Sequence, residues 1–435
     1  MTGPACSARW IRRETPRPKT TQRKLHMTTR QSAAWSIWFI AALFYAVEFF
    51  QRVAPGVIAK PLAQTFHIDP GSLGFIIAFY FWAYAIAQIP VGIILDKYGA
   101  RISLGLAALA VSVGTFLFAH TGSLVILGLA RILVGIGSAF AFVGCLKLAK
   151  SWFFPERFGL LVGLTNTLGV CGALFGQEPL TKMIHHIGWQ HSLEVTAVIG
   201  FIVCALIFVI VRNNPHEKHA MVDHEDKLPL AEHITAIIRN PQSWLVGIYA
   251  GLMVAPVIAF AELWSVSFLQ VDHHLTASLS AKVNQFIFIG IAVGGPLNGW
   301  IAGLLKRRKL VMGIGNVMAL ILLIAIIKTD ISNVLRLQLT MFFFGFFTSS
   351  MLSCFPLNVD HHKPAISATV IAFTNMLIMI IGAIFQPLIG GILDMFIHSS
   401  DLLHYTPHEF QNAVIVLPIA LAINLIILWF IKDPK

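Results

Sequence analysis

Inside an apolar run near the start of the chain, the segment Tyr45-Ala-Val-Glu48-Phe-Phe-Gln51-Arg52-Val-Ala-Pro55-Gly56 carries an acid and a base one helical turn apart. Glu48 N-terminal to Arg52 is the favourable order for an i,i+4 ion pair, and Tyr45 falls on the same face. Charges within such a run must face a protein interior or an aqueous cavity. Two chemistries fit. One is a neutralised structural pair. The other is a binding site in which Arg52 holds a substrate carboxylate, the planar guanidinium donating two parallel hydrogen bonds, with Tyr45 a further substrate-binding candidate on the same face. A carboxylate that captures Arg52 removes the counter-charge from Glu48, which is then left to take a proton.

Other polar residues interrupt apolar runs in the same way. Arg131, in Arg131-Ile-Leu-Val-Gly135-Ile-Gly137, is either a polar tie between helices or a participant in proton coupling. Glu262, followed by Trp264, is a second proton site, an outer-gate partner for Arg52, or a water-exposed interfacial acid, and Trp264 is a candidate wall of the binding site. Tyr80, Tyr84 and Gln88 recur at four-residue spacing on one helical face. Cavity lining suits Tyr84 and Gln88, while Tyr80 fits an interfacial aromatic better. Asn166 and Asn375 either bond across helices or face substrate. Gln386 reads as structural, and Glu178, Glu194 and Lys147 as snorkelling side chains at membrane surfaces. Seventeen histidines fall outside the middles of the runs, and His216, His219, Asp223, His224 and Asp226 read as a solvated stretch. No metal and no cofactor are expected.

These residues must be positioned by helices in lipid. The chain has 435 residues, 57% hydrophobic and only 12% charged, against about 25% charged in soluble domains. So few charges cannot cover a soluble protein of this size, which excludes a soluble enzyme. Runs long enough to span fall at about 34–58, 72–95, 102–120, 123–149, 158–180 and 192–211, then 243–267, 282–304, 310–328, 333–357, 366–393 and 411–431. The expected fold is an all-α membrane protein of twelve transmembrane helices in two six-helix pseudo-repeats. The organisation reads as a basic tail (1–32), an N-terminal bundle (33–212), a cytoplasmic linker (213–241) and a C-terminal bundle (242–431). Met27 begins a plausible true start, so residues 1–26 are either untranslated or a disordered tail.

The net charge of +11 signals topology, not nucleic acid. With both termini in the cytoplasm, 24 of the 31 Lys and Arg residues fall on the cytoplasmic side, and the opposite orientation inverts this bias. The five cysteines have no paired spacing and read as small core residues. The halves also match each other. Thr165-Asn166 and Gly172 to Phe175 recur as Thr374-Asn375 and Gly382 to Phe385, and Gly92 and Arg101 recur as Gly299 and Arg308. Two parallel repeats are the arrangement of a carrier with its site at their interface.

The loop Gly92-Ile-Ile-Leu-Asp96-Lys97-Tyr-Gly99-Ala-Arg101 resembles the G-x-x-x-D-[RK]-x-G-x-[RK] signature of the major facilitator superfamily. Physically, Gly92 permits close helix approach, Gly99 a tight turn, and Asp96 offers a carboxylate to a helix N-terminus or an arginine. The resemblance implies that Gly92, Asp96, Lys97, Gly99 and Arg101 latch a cytoplasmic gate. The second half has Gly303 where Asp96 would be, so any latch is one-sided. Arg131 to Gly137 is similar to the family's R-x-x-x-G-x-G. Glu48-x-x-Gln51-Arg52 is similar to the E-x-x-E-R element of proton-coupled oligopeptide transporters but departs from it at Gln51. Tyr45 and Arg52 match the Tyr-x6-Arg spacing of organic-anion carriers. YAVEFFQRVAPGVI, FYFWAYAIAQIPVGIILDKYGAR and QPLIGGILD look most like the phagosomal transporter group of bacterial nutrient importers.

The expected function is alternating-access, proton-coupled import of a small carboxylate-bearing nutrient: an amino acid, short peptide or related organic anion. The competing function is export or antiport of a metabolite, siderophore or drug. The Glu48/Arg52 pair, and the absence of a Gly-Pro dipeptide in the fifth run, favour import. A membrane-embedded transferase would need a DxD or HxxxxD motif in a suitable loop, and neither is present; a transport-dead nutrient sensor would carry the same site. No GxxxxGK[ST] occurs, so a gradient must supply the energy. The expected setting is a monomer in the bacterial inner membrane, with both termini cytoplasmic and partners limited to substrate, protons and lipid.

Overall fold

The computed structural model describes residues 20–153, 158–213, 230–305, 307–328, 333–363, 366–396, 401–402 and 404–432. Residues 1–19 of the expected tail and 214–229 of the expected linker, with its histidine and aspartate cluster, lie outside them.

The N-terminal half consists of spans 1 to 6: Thr20–Phe66, Pro70–Tyr98, Ala100–His120, Leu124–Trp152, Phe158–Phe175 and Glu178–Ile210. A short helix, Leu230–Ile238, precedes spans 7 to 12: Pro241–Asp272, Ala277–Leu305, Arg308–Lys328, Val334–Val359, Ser367–Asp394 and Pro407–Phe430. Eleven stretches of the described residues are long and apolar enough to cross a membrane. One of them, Leu161–Ile210, contains spans 5 and 6 broken at Gly176-Gln177, which gives the expected twelve. Span 6 itself breaks at Gly188, whose φ of 79° is a left-handed backbone that favours glycine. This break separates the short outer helix beginning at Glu178 from the run expected at 192–211.

Short, specific caps set the helix boundaries. Asp69 caps span 2 ahead of Pro70, and Asn240 caps span 7 ahead of Pro241. Asn333 accepts two backbone N–H groups at the start of span 10, and Thr406 forms a capping box with Glu409 before span 12. Connections of a few residues then force sequential spans antiparallel. The outer surface carries large exposed apolar side chains, among them Val125, Ile202, Leu304 and Trp429, as a lipid-facing surface requires.

Close glycine contacts hold the helices and repeat between the halves. Gly135 of span 4 packs on the Tyr80 carbonyl of span 2, and Gly345 of span 10 on the Ile287 carbonyl of span 8. Gly172 of span 5 packs on the Ala46 carbonyl of span 1, while its counterpart Gly382 packs on Ile258 of span 7. Thr165 and Thr374, also counterparts, are fully buried and receive Trp38 Nε1 at 3.2 Å and Asn358 Nδ2 at 2.8 Å. Small residues that let backbones approach supply the packing that hydrophobicity cannot drive in lipid. Gly163, by contrast, has open space where a Cβ would stand. Gly172→Leu is therefore expected to destabilise the protein by about 1–3 kcal/mol. Thermal unfolding in detergent should show a lowered midpoint for Gly172→Leu and an unchanged one for Gly163→Leu.

Candidate functional site

Span 1 contains Pro55 and Pro61. Pro55 lacks the N–H that would bond the Gln51 carbonyl four residues earlier. Arg131 of span 4 takes that place, its Nη1 donating to the Gln51 carbonyl at 3.2 Å. The Arg131 guanidinium also lies over the Tyr80 ring, 4.8 Å from the centroid, and the Tyr80 hydroxyl hydrogen-bonds the Glu48 carboxylate. A proline in one helix thus fixes an arginine in a second, which fixes a tyrosine in a third, which holds the acid. Arg131 Nε and Nη2 have no hydrogen-bond partner among the described residues.

Arg52 turns away from Glu48. Its Nε donates to both carboxylate oxygens of Glu262, at 2.9 and 3.0 Å, and its guanidinium lies 5.3 Å from the ring centroids of Phe49 and Phe81. The expected Glu48–Arg52 pair is corrected: helical spacing allows it, but each residue bonds a partner on another span. Glu262 is 2% exposed, which overturns the interfacial, water-exposed alternative. Glu48, Arg52 and Arg131 are equally deep, at 1%, 8% and 3%.

Two local features deliver Glu262 to this position. After Pro256, span 7 widens into a π-helical stretch, Val257–Trp264, which shifts the register of the residues it contains. Two carbonyls of that stretch accept side-chain amides: Ile258 from Gln386 Nε2 at 2.9 Å and Ala261 from Asn284 Nδ2 at 2.7 Å. Opposite it, Gly56 lies against the Glu262 backbone, where a Cβ would come within 2.8 Å of the carbonyl oxygen. Spans 1 and 7 therefore meet one turn beyond Arg52.

The remaining expected site residues divide. Tyr84 is buried and stacks near Tyr80, and Gln88 is buried beside it with its Nε2 lacking a hydrogen-bond partner among the described residues. Asn166 and Asn375 are both half-buried, unlike their fully buried threonine neighbours. Tyr45 packs in an aromatic cluster with Phe49 and Phe142, beside Gly169. Trp264 is fully buried, its Nε1 donating to the Gln386 carbonyl at 3.0 Å and its ring packed against Phe410, so it braces span 7 within its own half. Tyr80 corrects the interfacial expectation: it is fully buried and bonded to Glu48. Its four-residue spacing with Tyr84 was the signal that could have placed it in the site.

The seam continues at the end where spans 1 and 2 join. Asp394 Oδ2 at the end of span 11 accepts the Gly71 N–H of span 2 at 2.8 Å, and Gly74 and Gly390 seat the two helices on each other's backbones. Asn284 also bonds Gln177 across the halves at 3.0 Å, and Lys60 faces Asp401 at 3.9 Å. Burial raises the Asp69 carboxyl, but hydrogen bonds donated by the Ser72 backbone N–H and hydroxyl outweigh it and hold the carboxyl below its ordinary range. This cap is therefore fully present above the ordinary carboxylate range and is lost as pH falls through the depressed value.

At the opposite end the signature loop forms contacts within its own half. Gly99 has a φ of 80° and closes the turn between spans 2 and 3. Arg101 donates from Nε and Nη2 to the Phe208 carbonyl at 3.1 and 2.6 Å, and Lys147 Nζ reaches the Leu95 carbonyl at 2.9 Å. Lys97 is exposed over the Tyr98 ring. Gly92 corrects the expectation of close helix approach, since nothing stands within 4 Å of a Cβ built there. The Asp96 side chain lies outside the described residues.

Twelve helices in two related halves, with a buried charge pair across their seam, define a polytopic membrane carrier. The model of the Major Facilitator Superfamily matches residues 37–387, and the chain belongs to that superfamily. It is similar to the D-galactonate transporter of Escherichia coli O6:H1 (strain CFT073), 26% identical over 287 residues, 61% of this chain and 66% of that one. It is also similar to the probable L-galactonate transporter of Escherichia coli K12, 23% identical over 418 residues, 91% of this chain and 88% of that one. Among solved structures, a bacterial homologue of the human lysosomal transporter Spinster, inward-facing and unoccupied, superposes with a TM-score of 0.76 at 16% identity, over 92% of this chain and 97% of that one. A D-xylose–proton symporter does so with a TM-score of 0.71 at 14% identity, over 92% and 98%. The chain is thus a membrane transporter and not an enzyme. The family match extends to the superfamily and not specifically to the phagosomal group, and the two relatives are named for galactonate rather than for amino acids.

The Arg52–Glu262 pair should behave as one buried unit. Removing either partner alone is expected to cost about 3–5 kcal/mol, because it strands the other charge. Thermal unfolding of Arg52→Ala, Glu262→Ala and the double variant should show the double costing clearly less than the sum. Additive losses would show that the pair does not hold the halves together.

Proposed function

We propose that the protein is a proton-coupled importer of a small sugar acid, such as an aldonate or aldarate, in the bacterial inner membrane, with both termini cytoplasmic. The observation that carries this reading is the bond across the two halves in which Arg52 Nε donates to both oxygens of Glu262, leaving the two Nη groups outside that bond. A guanidinium that already holds a carboxylate in a low-dielectric seam is a ready receptor for a substrate carboxylate. The galactonate and galactarate/glucarate names of the relatives supply the substrate class.

In this reading the structure is closed toward the outside, where spans 1, 2 and 5 meet spans 7, 11 and 8. A substrate carboxylate competes with Glu262 for Arg52, so binding and release of the outer seam are one event. Glu48, held by Tyr80 and within electrostatic reach of Arg52, carries the transported proton, and Arg131 positions Tyr80. Tyr84, Gln88, Asn166 and Asn375 supply hydroxyl and amide groups suited to a polyhydroxylated chain, with Tyr45 an aromatic wall. Gly92, Asp96, Lys97, Gly99 and Arg101 belong to the cytoplasmic gate, and the carrier works as a monomer.

The test is uptake of radiolabelled D-galactonate, D-glucarate and galactarate into proteoliposomes under an imposed inward proton gradient. Accumulation should follow the gradient for at least one of them. Glu48→Gln is expected to retain counterflow exchange while losing uphill accumulation. Arg52→Lys, which keeps charge but loses the planar fork, should lower uptake at least about tenfold. Accumulation indifferent to the gradient and to Glu48→Gln would refute proton coupling, and full uptake by Arg52→Lys would remove Arg52 from the substrate site.

A further inference from the structure

Outside the transport seam, a trough of about 690 Å³ runs along the lipid-facing side of spans 9 and 12. Arg307 and Lys309 stand at its mouth, and Leu310, Gly313, Val317 and Leu428 line its length. Gly313 gives the trough its depth: a Cβ there would come within 3.1 Å of Leu428 Cδ2. The mouth belongs to the sequence Lys306-Arg307-Arg308-Lys309, at the turn between spans 8 and 9. Arg308 pairs with Asp360, and Lys309 Nζ donates to the Ile431 and Trp429 carbonyls at 2.6 and 3.3 Å, so these two cations are held in place by the protein. Arg307 is exposed, and no protein partner is recorded for it among the described residues.

We propose that this trough is a binding site for an anionic phospholipid of the cytoplasmic leaflet, with the headgroup phosphate at Arg307 and one acyl chain along span 9. Dimensions and charge both support this occupant. The twelve residues from Arg307 to Met318, eleven helical rises, span about 16 Å. Half of a hydrocarbon core of about 30 Å is about 15 Å, so the trough reaches from the interface to the midplane, the length of one leaflet. Basic groups sit at the interfacial end only, and the wall below them is apolar, which is the polarity of a phospholipid. A soluble anion would use the mouth and leave the trough empty. A partner helix would need an interfacial acid in addition to its apolar face.

Native mass spectrometry of the full chain, delipidated in detergent and titrated with phosphatidylglycerol, cardiolipin or phosphatidylcholine, tests the site. The anionic lipids should be retained in preference to phosphatidylcholine. Arg307→Gln should weaken their retention about fivefold, the loss expected for one basic side chain at an anionic surface. Gly313→Leu, which fills the trough and leaves the charge, should weaken it further, and Arg307→Lys should restore it. Equal retention of phosphatidylglycerol and phosphatidylcholine by the unmodified protein would overturn the proposal without recourse to any variant. So would competition by free glycerol 3-phosphate as effective as that of the lipid, which would mark a soluble-anion site. Substrate transport rests on other residues, so either outcome leaves the sugar-acid reading untouched.

Discussion

The structure depends on one interaction that lipid and a low-dielectric seam make demanding: the bond between Arg52 and Glu262. Two charges removed from water cost several kcal/mol each, and only near-ideal geometry with further contacts offsets that. The protein supplies such geometry from several directions. Arg52 meets both oxygens of Glu262 and is flanked by the rings of Phe49 and Phe81. The π-helical stretch brings Glu262 into place, and Gly56 removes the side chain that would keep the two helices apart. Because the partners come from opposite halves, the pair also determines whether the halves touch at this level.

Broken helical hydrogen bonds are the second recurring device. Pro55 orphans the Gln51 carbonyl, and Arg131 satisfies it. The widened stretch after Pro256 exposes the Ile258 and Ala261 carbonyls, which take Gln386 and Asn284. In a bilayer such groups cannot wait for water, and at these two interruptions a polar side chain from a neighbouring span takes the place of the lost bond. Arg131, Gln386 and Asn284 are in this sense buried polar residues that answer to Pro55 and to the widened stretch after Pro256. Asn284 extends the scheme by bonding Gln177 at the same time, which carries the repair of one half's helix into the other half.

The twelve helices, their two-fold repetition and the buried charges were legible in the sequence, because lipid imposes length and apolarity on every span and makes each interior charge conspicuous. Gly99 was legible because a left-handed turn favours one residue type. The partner of Arg52 was not. Glu48 lies four residues away and satisfies every local rule, whereas Glu262 lies 210 residues away and arrives only through a local widening of span 7. Tyr80 was misplaced for a related reason: the same helix face that suits an interfacial aromatic becomes interior when spans 1 and 4 pack against span 2. Gly92 fits a family pattern, and in this conformation it faces open space.

The four deeply buried charged residues among those described are Glu48, Arg52, Arg131 and Glu262, a balanced set in their ordinary ionic forms. Under the reading proposed above, a substrate carboxylate adds one negative charge and occupies the guanidinium that Glu262 now uses. In a low-dielectric seam the displaced acid cannot remain ionised without a new partner. Arg131, with two buried N–H groups having no partner among the described residues, offers one; a proton from solution offers the other. Glu48 faces the same choice, since Tyr80 gives it a hydrogen bond but no positive charge. Substrate binding and proton uptake are then linked by charge balance alone, and coupling needs no dedicated relay beyond an arginine whose single positive charge cannot neutralise two carboxylates.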